Sequence, residues 1–280
     1  MATITNIDSL RTLAGLSKSQ QAISQASERI STGYQINRAS DNPGLMAVAN
    51  DLKTQLTSYN QILTNVAEGK AVTSLVDSSL TQMVDLLGYM RVAAVAGESS
   101  TLTTSERTAY QNAINAYVTA FDTIATNTTW NGTSLMSTAA TMNVQTGVNS
   151  GNTTTLTFSK MTTSALSVDS LSTTSTTTAA TAVDAIDTAI KAVNVYQTYI
   201  GAMDNVMESQ ATVATNAITS YSAGYGAIMN TDFAAETAKL AAAQIQHDGA
   251  TAMLIQGNGL NRSLVDYLLG GPSTYAPRTS

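Results

Sequence analysis

The chain has 280 residues and a formal net charge of −6 at pH 7, and it contains no cysteine and no cluster of Lys and Arg. This composition excludes electrostatic binding of nucleic acid, disulfides, thiolate catalysis and Cys-ligated metal sites. Only 5% of the residues are aromatic, which favours a core of aliphatic seams. Only 11% are charged, so the surface should repel neighbouring molecules weakly and suit packing against further copies of the chain.

The N-terminal residues MATITNIDSL lack the basic start and apolar run of a cleaved signal peptide. No window of the sequence approaches the ~20 apolar residues of a membrane span, so we predict no membrane insertion. We therefore expect a cytoplasmic protein, or one that is exported by a route without such a peptide.

A polar joint follows the first predicted helix. Residues 28–45 read ERISTGYQINRASDNPGL, which is too rich in turn residues to continue a helix and too polar for a buried strand. We interpret this stretch as a connection between two helical segments.

A long helix is predicted from about 44 to about 98. Prolines occur only at 43, 272 and 277, so the strongest helix breaker is absent from this range. Apolar residues from Val48 to Met90 recur every three or four positions, with one departure from this spacing near Gly69. At the usual rise per residue, such a helix would be on the order of 80 Å long.

A returning helix is predicted after a stop at Gly97. Thr103, Thr104 or Ser105 can act as its N-cap, and Glu106 lies where it would complete a capping box. The sequence leaves the choice among the three caps open.

Turn and strand signals fill the middle of the chain. Asn131-Gly132 marks a turn, and the alternating stretches 142–145 and 153–158 predict a β-hairpin. Residues 162–181 are dominated by Ser, Thr and Ala, and we expect them to be exposed and irregular.

Helical periodicity resumes at Val183. We interpret the later cluster of turn residues as a weak joint, followed by a last helix from about 233 to about 269. That cluster consists of Gly224, Gly226, Asn230 and Asp232.

Each terminal helix carries an apolar stripe that its own segment cannot cover. We predict a mainly α fold, a long antiparallel helical rod or coiled coil with a small β-hairpin, in which the N- and C-terminal helices pair and become ordered when copies assemble. The residues predicted to form this self-assembling core are Leu10, Leu13, Ile23, Ile30, Leu254, Leu260, Leu264 and Leu268. Leu264→Asp should block assembly, because it places an unpaired charge in a buried seam.

The chain resembles a bacterial flagellin, specifically a short form that lacks the outer variable domains. The resemblance extends from MATITNIDSL through the joint and TTWNGTSLM to MNTDFAAETAKLAAAQIQHDGATAMLIQGNGLNRSLVDYLL. It implies a subunit of a helical filament, exported unfolded through the flagellar type III channel and located outside the cell in the flagellum, where the filament drives motility. The implied partners are further copies of the chain, an export chaperone, and cap and junction proteins.

The resemblance also implies a division into domains. Residues 1–33 and 233–270 would form an inner coiled-coil core that depends on assembly, 34–44 a polar spoke, 45–232 an outer rod with the hairpin near 142–158, and 271–280 a disordered tail.

The joint is similar to the family pattern E-R-L-S-S-G-x-x-I-N-x-A-x-D-D. Its charged residues would be available for ion pairs to neighbouring subunits, and its proline would reset the chain direction. The residues assigned to these joint contacts are Glu28, Arg29, Asn37, Arg38, Asp41 and Pro43.

Two alternatives remain open beside a filament subunit. Asp41-Asn42-Pro43 is closer to the hook–filament junction protein of the same flagellum than to the Asp-Asp-Ala that is usual in flagellins. The other alternative is a secreted coiled-coil adhesin, although the terminal helices are poor in Lys and Arg, unlike helices that bind membrane surfaces.

An animal innate-immune receptor senses some flagellins through a segment that corresponds to residues 86–97 here. In this segment Arg91 is retained, whereas Tyr89 and Ala93 stand where Arg and Leu are usual. Arg91 is therefore the candidate for such recognition.

No enzyme is predicted. His247 is the only histidine, and we interpret it as a residue of a helix face rather than a metal ligand. The sequence shows no G-x-S-x-G elbow and no phosphate-binding loop, so no catalytic, metal-binding or cofactor-binding residue is assigned. O-linked sugars on Ser and Thr around 150–178 are implied by the family resemblance alone.

Overall fold

The structure, a computed structural model, describes residues 7–268, except for the side chains of Asp8, Asn261 and 264–268. The predicted tail at 271–280 lies outside this range. Within it, the elements in chain order are α1 (Ile7–Thr32), α2 (Pro43–Gly97), α3 (Thr104–Asn127), β1 (Thr129–Trp130), β2 (Thr133–Ser134), β3 (Ala140–Gln145), β4 (Thr153–Phe158), α4 (Thr176–Met229) and α5 (Phe233–Leu268). The predicted mainly α fold with a small hairpin is confirmed.

The chain divides into two compact units. Of the described residues, 7–53 and 222–268 belong to the terminal unit, and 54–221 belong to the central unit. In the described part of the chain, no helix is long and apolar enough to cross a bilayer.

Helix α2 lies within one residue of its predicted bounds at each end, and α3 begins where the capping signals predict. Thr103 is the N-cap of α3, and its Oγ1 accepts a hydrogen bond from the Glu106 N–H at 3.4 Å. Glu106 Oε2 in turn accepts one from the Thr103 N–H at 2.8 Å, so the predicted capping box is present. The hydrogen bonds from the Thr103 backbone and hydroxyl lower the pKa of the Glu106 carboxyl.

A buried arginine closes the turn between α2 and α3. The Arg107 guanidinium donates from Nη1 to the Gly97 carbonyl and from Nη2 to the Ser99 carbonyl, the latter at 2.6 Å. Gly97 is the last residue of α2 and Ser99 lies two residues beyond it. Carbonyls at the end of a helix lack helical partners, and the helix dipole favours a cation there. Arg107 therefore acts as a side-chain cap for the C-terminus of α2.

Arg107→Met should lower the free energy of unfolding by about 2–3 kcal/mol, because two carbonyls lose charge-assisted hydrogen bonds and one of them is buried. Urea denaturation of the full chain, followed by circular dichroism, measures this change. The matched control is Arg91→Met, which removes an exposed pair with Asp187 and should cost less than about 1 kcal/mol. Equal losses in both variants would contradict the capping function of Arg107.

The predicted turn at Asn131-Gly132 is confirmed. It joins β1 to β2, with Trp130 paired to Thr133 across it. Both turn residues have positive φ, 47° for Asn131 and 77° for Gly132, as the two-residue hairpin turn requires.

The second hairpin pairs β3 with β4 in antiparallel register, from Ala140 opposite Phe158 to Gln145 opposite Thr153. Its inner side chains, including Leu156 and Phe158, are buried in the core of the central unit. A Cβ at Gly69 of α2 would lie 3.2 Å from Val144 Cγ2. The irregular spacing of apolar residues in α2 near Gly69 therefore coincides with the place where the helix contacts the hairpin.

The stretch after the hairpin is irregular only as far as Ser175, and the expectation for 162–181 was wrong in two respects. Asp122 of α3 accepts hydrogen bonds from the Thr163 N–H at 2.9 Å and from its hydroxyl at 2.6 Å. Gln111 Oε1 accepts one from the Thr173 N–H at 2.7 Å. Both threonines are buried, and α4 already begins at Thr176.

The core of the central unit is an aliphatic seam between α2, α3, α4 and the hairpin, as the low aromatic content predicts. Its largest fully buried side chains are Phe121, Phe158, Leu80, Met83, Leu87, Met90, Ile114, Leu135, Met136, Leu156, Ile186 and Ile200. At the surface of this core, polar side chains link α2 to α4. These links are Lys70 to Glu208, Thr73 to Asp204, Asp77 to Gln197, and Arg91 to Asp187.

Candidate assembly surface and polar joint

The joint begins at Gly33, which ends α1. Its N–H donates to the Arg29 carbonyl at 2.9 Å, and its φ is +75°. This left-handed conformation favours glycine over any residue with a side chain. A Cβ here would lie at an ordinary 3.7 Å from Phe233 Cζ, so backbone conformation rather than space selects the glycine.

Two distant segments are bonded to each other at the joint. The Gln35 N–H donates to the Met229 carbonyl at 2.7 Å, and the Thr231 N–H donates to the Gly33 carbonyl at 2.9 Å. Gln35 Nε2 adds a bond to the Ile228 carbonyl at 2.6 Å. The chain leaving α1 is thus tied to the chain that leads from α4 into α5.

Asp41 organises the loop of the joint. Its Oδ2 accepts hydrogen bonds from the N–H groups of Asn37 and Arg38, each at 3.0 Å. These bonds lower the pKa of the Asp41 carboxyl. Asn37 Nδ2 donates to the Tyr34 carbonyl at 3.0 Å. The predicted contact residues Asn37 and Asp41 therefore shape the loop itself.

Pro43 has a local explanation in the structure. Asn42 Oδ1 accepts a hydrogen bond from the Leu45 N–H at 3.1 Å, so Asn42 is the N-cap of α2 and Pro43 occupies its first turn. The first helical position favours proline, because its N–H would have no helical partner. Asp232 begins α5 in the same way, with Oδ1 accepting from the Ala234 N–H at 2.9 Å.

The charged residues of the joint find partners within the chain. Arg29 Nη1 lies 3.3 Å from Glu236 Oε1, and Lys239 Nζ lies 2.9 Å from Glu236 Oε2. The exposed pair of Arg38 Nη2 and Glu28 Oε1 is 3.1 Å apart. Pairing of these residues with neighbouring subunits remains a prediction.

Glu236 is 4% exposed, which makes its charge sensitive to its partners. Burial alone raises the pKa of the Glu236 carboxyl, but hydrogen bonds and charges from Lys239 and Arg29 outweigh burial, so this pKa lies below its ordinary value. The carboxylate is therefore ionised at neutral pH and is stabilised by both cations.

Helices α1 and α5 pack against each other along one heptad seam. The seam positions are less exposed than their neighbours and recur at alternating spacings of three and four residues, the pattern of a left-handed coiled coil. Many of the side chains are small or polar. The seam consists of Ser9, Thr12, Leu16, Ser19, Ile23, Ala26 and Ile30 in α1 and of Glu236, Leu240, Ala243, His247, Ala250, Leu254 and Gly257 in α5.

This seam divides the predicted core residues into two groups. Ile23, Ile30 and Leu254 lie within the seam. Leu10, Leu13 and Leu260 lie outside it, with 55%, 52% and 62% of their surface exposed. Leu264 and Leu268 belong to α5, but their side chains lie outside the described residues.

Five further exposed large apolar residues in the described parts of α1 and α5 were not among the predicted core residues. They are Ile7 of α1 and Phe233, Ile245, Met253 and Ile255 of α5. A sequence signal could have found Ile245, because a second series of small or apolar residues follows the same alternation in α5. That series consists of Ala238, Ala242, Ile245, Gly249 and Ala252.

Two further residues singled out in the sequence are Arg91 and His247. Arg91 binds Asp187 through two hydrogen bonds, Nε to Oδ1 at 2.6 Å and Nη2 to Oδ2 at 3.2 Å, and immune recognition through it remains a prediction. His247 is half-buried in the seam, with Nδ1 3.5 Å from Asp248 Oδ1. Among the residues that the structure describes, no group of three His, Cys, Asp or Glu side chains could hold a metal ion.

Comparison with known proteins identifies two matching regions. Residues 4–141 match the family described as the bacterial flagellin N-terminal helical region, and residues 183–268 match the bacterial flagellin C-terminal helical region. Phase 1 flagellin of Salmonella naestved and flagellin of Salmonella enteritidis are each 29% identical over 171 residues. The alignment covers 60% of this chain and 34% of each relative, so the chain spans about a third of the length of these curated relatives.

Two solved structures share the fold. The crystal structure of Bacillus cereus flagellin has a TM-score of 0.50 and 22% identity, and the match covers 54% of this chain and 88% of that one. A putative flagellar hook-associated protein from Vibrio parahaemolyticus has a TM-score of 0.58 and 16% identity, and the match covers 68% and 99%.

Proposed function

Because this chain belongs to the bacterial flagellin family, we propose that it is the structural subunit of a flagellar filament. Copies assemble into a helical tube outside the cell, and rotation of the tube drives motility. The chain reaches this site by type III export in an unfolded state, with an export chaperone and with cap and junction proteins as partners.

The observation that carries this proposal is the exposed apolar surface of the α1–α5 pair. Half of the side chains in the seam of this pair are small, and the pair leaves Leu10, Leu13 and Leu260 exposed. Large apolar side chains clustered on the outer faces of a helix pair mark an interaction surface. A helix pair with apolar residues on faces outside its seam can contact more than one neighbour.

Identical copies are the partners that this surface fits. A contact between two different patches of the same chain is heterologous, and repeating it generates an open helical assembly. The low charge content of the chain, 11% of residues, limits repulsion between crowded copies. In this proposal residues 1–33 and 233–270 form the inner layer, 34–44 the spoke and 45–232 the outer layer.

Pro43 supports no separate junction function. Its position at the start of α2 suits proline in any helix that begins after an Asn cap. The filament proposal therefore needs no special explanation for the Asp-Asn-Pro sequence.

Seeded growth of the purified full chain tests the proposal. High concentrations of sulfate strengthen apolar burial and should nucleate the first polymers, which are then broken into seeds. Fresh chain added to these seeds in dilute buffer should elongate them into micrometre-long filaments visible by electron microscopy. Chain that binds seed ends but never lengthens them would contradict a filament subunit and indicate a junction protein.

A further inference from the structure

The outer edge of β4 donates hydrogen bonds to the hydroxyl groups of two tyrosines of α4. The Thr157 N–H donates to Tyr199 Oη at 3.2 Å, and the Ser159 N–H donates to Tyr196 Oη at 3.1 Å. Thr157 and Ser159 are two residues apart, so their N–H groups point to the same side of the strand. That side is the one that faces away from β3.

The tyrosine rings are held firmly in this position. Tyr196 is buried, and its ring stacks on that of Tyr199 with 6.1 Å between centroids. Burial is the main cause that raises the pKa of Tyr196 to about 12. Its hydroxyl is therefore neutral throughout the physiological range.

The hairpin lacks the usual protection of an exposed strand edge. Proteins commonly protect such edges with charged side chains or proline. Residues 123–159 contain no Asp, Glu, Lys, Arg, His or Pro. The β4 sequence TTTLTF is also rich in β-branched residues, a composition that favours pairing between identical strands.

We propose that Tyr196 and Tyr199 block strand pairing along the outer edge of β4, and that the partner they exclude is β4 of a second copy. Each hydroxyl oxygen accepts the hydrogen bond of an N–H group that would otherwise donate to a carbonyl of an incoming strand. A second copy is the specific hazard, because identical uncharged strands can pair in register without repulsion.

The other strand of the hairpin is also bonded to a helix side chain. Asn65 Nδ2 of α2 donates to the Gln145 carbonyl of β3 at 3.3 Å. Side chains of α2 and α4 therefore form hydrogen bonds with the backbone of the two strands, where a further strand could otherwise pair. This arrangement protects the hairpin where many copies of the chain are concentrated.

The test uses the full chain with Tyr196→Phe and Tyr199→Phe combined, which keeps both rings and removes only the hydroxyls. We expect unchanged helical content, about tenfold faster hydrogen exchange at the Thr157 and Ser159 amides, and concentration-dependent aggregates that bind thioflavin T. The matched control is Tyr59→Phe with Tyr221→Phe, a stacked pair in the central unit with 5.5 Å between centroids. It should behave as the unmodified chain.

A rescue variant separates edge pairing from general unfolding. Thr155 is exposed on β4, and Thr155→Lys in the doubly substituted chain places a charge on the freed strand. It should suppress the aggregates, because like charges then meet when identical strands pair. Aggregation that persists with the lysine, or a double variant that never forms thioflavin-binding aggregates, would overturn the proposal.

Discussion

Leu10→Asp combined with Leu13→Asp should abolish filament growth while leaving the central unit folded. Both leucines are exposed on α1 outside the α1–α5 seam, so the carboxylates cost little in the isolated chain. At an interface between copies they would become buried charges without partners, at a cost of several kcal/mol. About 3 kcal/mol already raises the concentration needed for growth ~100-fold. Seeded elongation followed by light scattering measures the change.

Ala22→Asp provides the matched control on the same helix. Ala22 is exposed and lies nine residues from Leu13, which is half a turn around the helix at 100° per residue. It therefore adds the same charge to α1 on another side, and elongation should remain within a few-fold of the unmodified chain. Normal growth of the Leu10 and Leu13 variant would contradict the proposed assembly surface.

Arg29→Met should loosen the joint by about 2 kcal/mol. Removing one partner of a buried ion pair typically costs about 3–5 kcal/mol, but Lys239 still pairs with Glu236 in this variant. Arg29 Nε is also a buried donor with no partner in the described part of the chain, and its removal offsets part of the loss. Hydrogen exchange at the Gln35 and Thr231 amides should accelerate about 30-fold.

The control for the joint is Arg38→Met, which removes an exposed pair with Glu28. It should change exchange at the same two amides by less than about fivefold, since exposed pairs contribute under 1 kcal/mol. If the two arginine variants were equally affected, burial of Glu236 would not be the source of the effect.

Acid should affect the joint through Glu236. Its pKa in the folded chain is lowered from the ordinary value of 4.5, so the carboxylate stabilises the folded joint at pH values above 4.5. This stabilisation is lost as pH falls through the lowered pKa of the folded chain. In Arg29→Met the pKa of Glu236 rises towards its ordinary value, and the pH dependence of amide exchange should flatten.

Local signals in the sequence were sufficient for much of the fold. Residues Pro43–Gly97 form one helix because no proline interrupts them, and the Thr103 cap and the Asn131-Gly132 turn follow from short-range chemistry. Each of these features depends on residues only a few positions apart, which a single sequence displays directly.

The start of α4 was predicted seven residues too late, at Val183 instead of Thr176. The first turns of this helix contain Thr and Ala rather than large apolar residues, so hydrophobic periodicity has little to detect there. A capping signal was present, since Ser175 Oγ accepts a hydrogen bond from the Thr178 N–H at 3.1 Å.

The predicted weak joint around 224–232 begins later than expected. Gly224 and Gly226 lie inside α4, which continues to Met229. A glycine within a helix costs only about 1 kcal/mol, and tertiary packing easily exceeds this. The actual break is confined to residues 230–232, before Asp232 caps α5.

The candidate site was harder to predict because its partners are distant in sequence. Arg29 was recognised as a contact residue, but its partner Glu236 lies 207 positions away. The α1–α5 register was also hidden, because seam positions such as Ser19, Ala26 and His247 are not large and apolar. Reading only the leucines and isoleucines therefore mixed residues of the seam with residues of the outer faces.

The modest size of the side chains along the α1–α5 seam has a consequence for how polymerisation starts. Small side chains bury little apolar area, so two helices joined this way gain little free energy on their own. Each further copy that joins adds new buried area to helices already in place. Growth should then show a sharp threshold concentration and a lag before the first nucleus, with rapid extension once a nucleus exists.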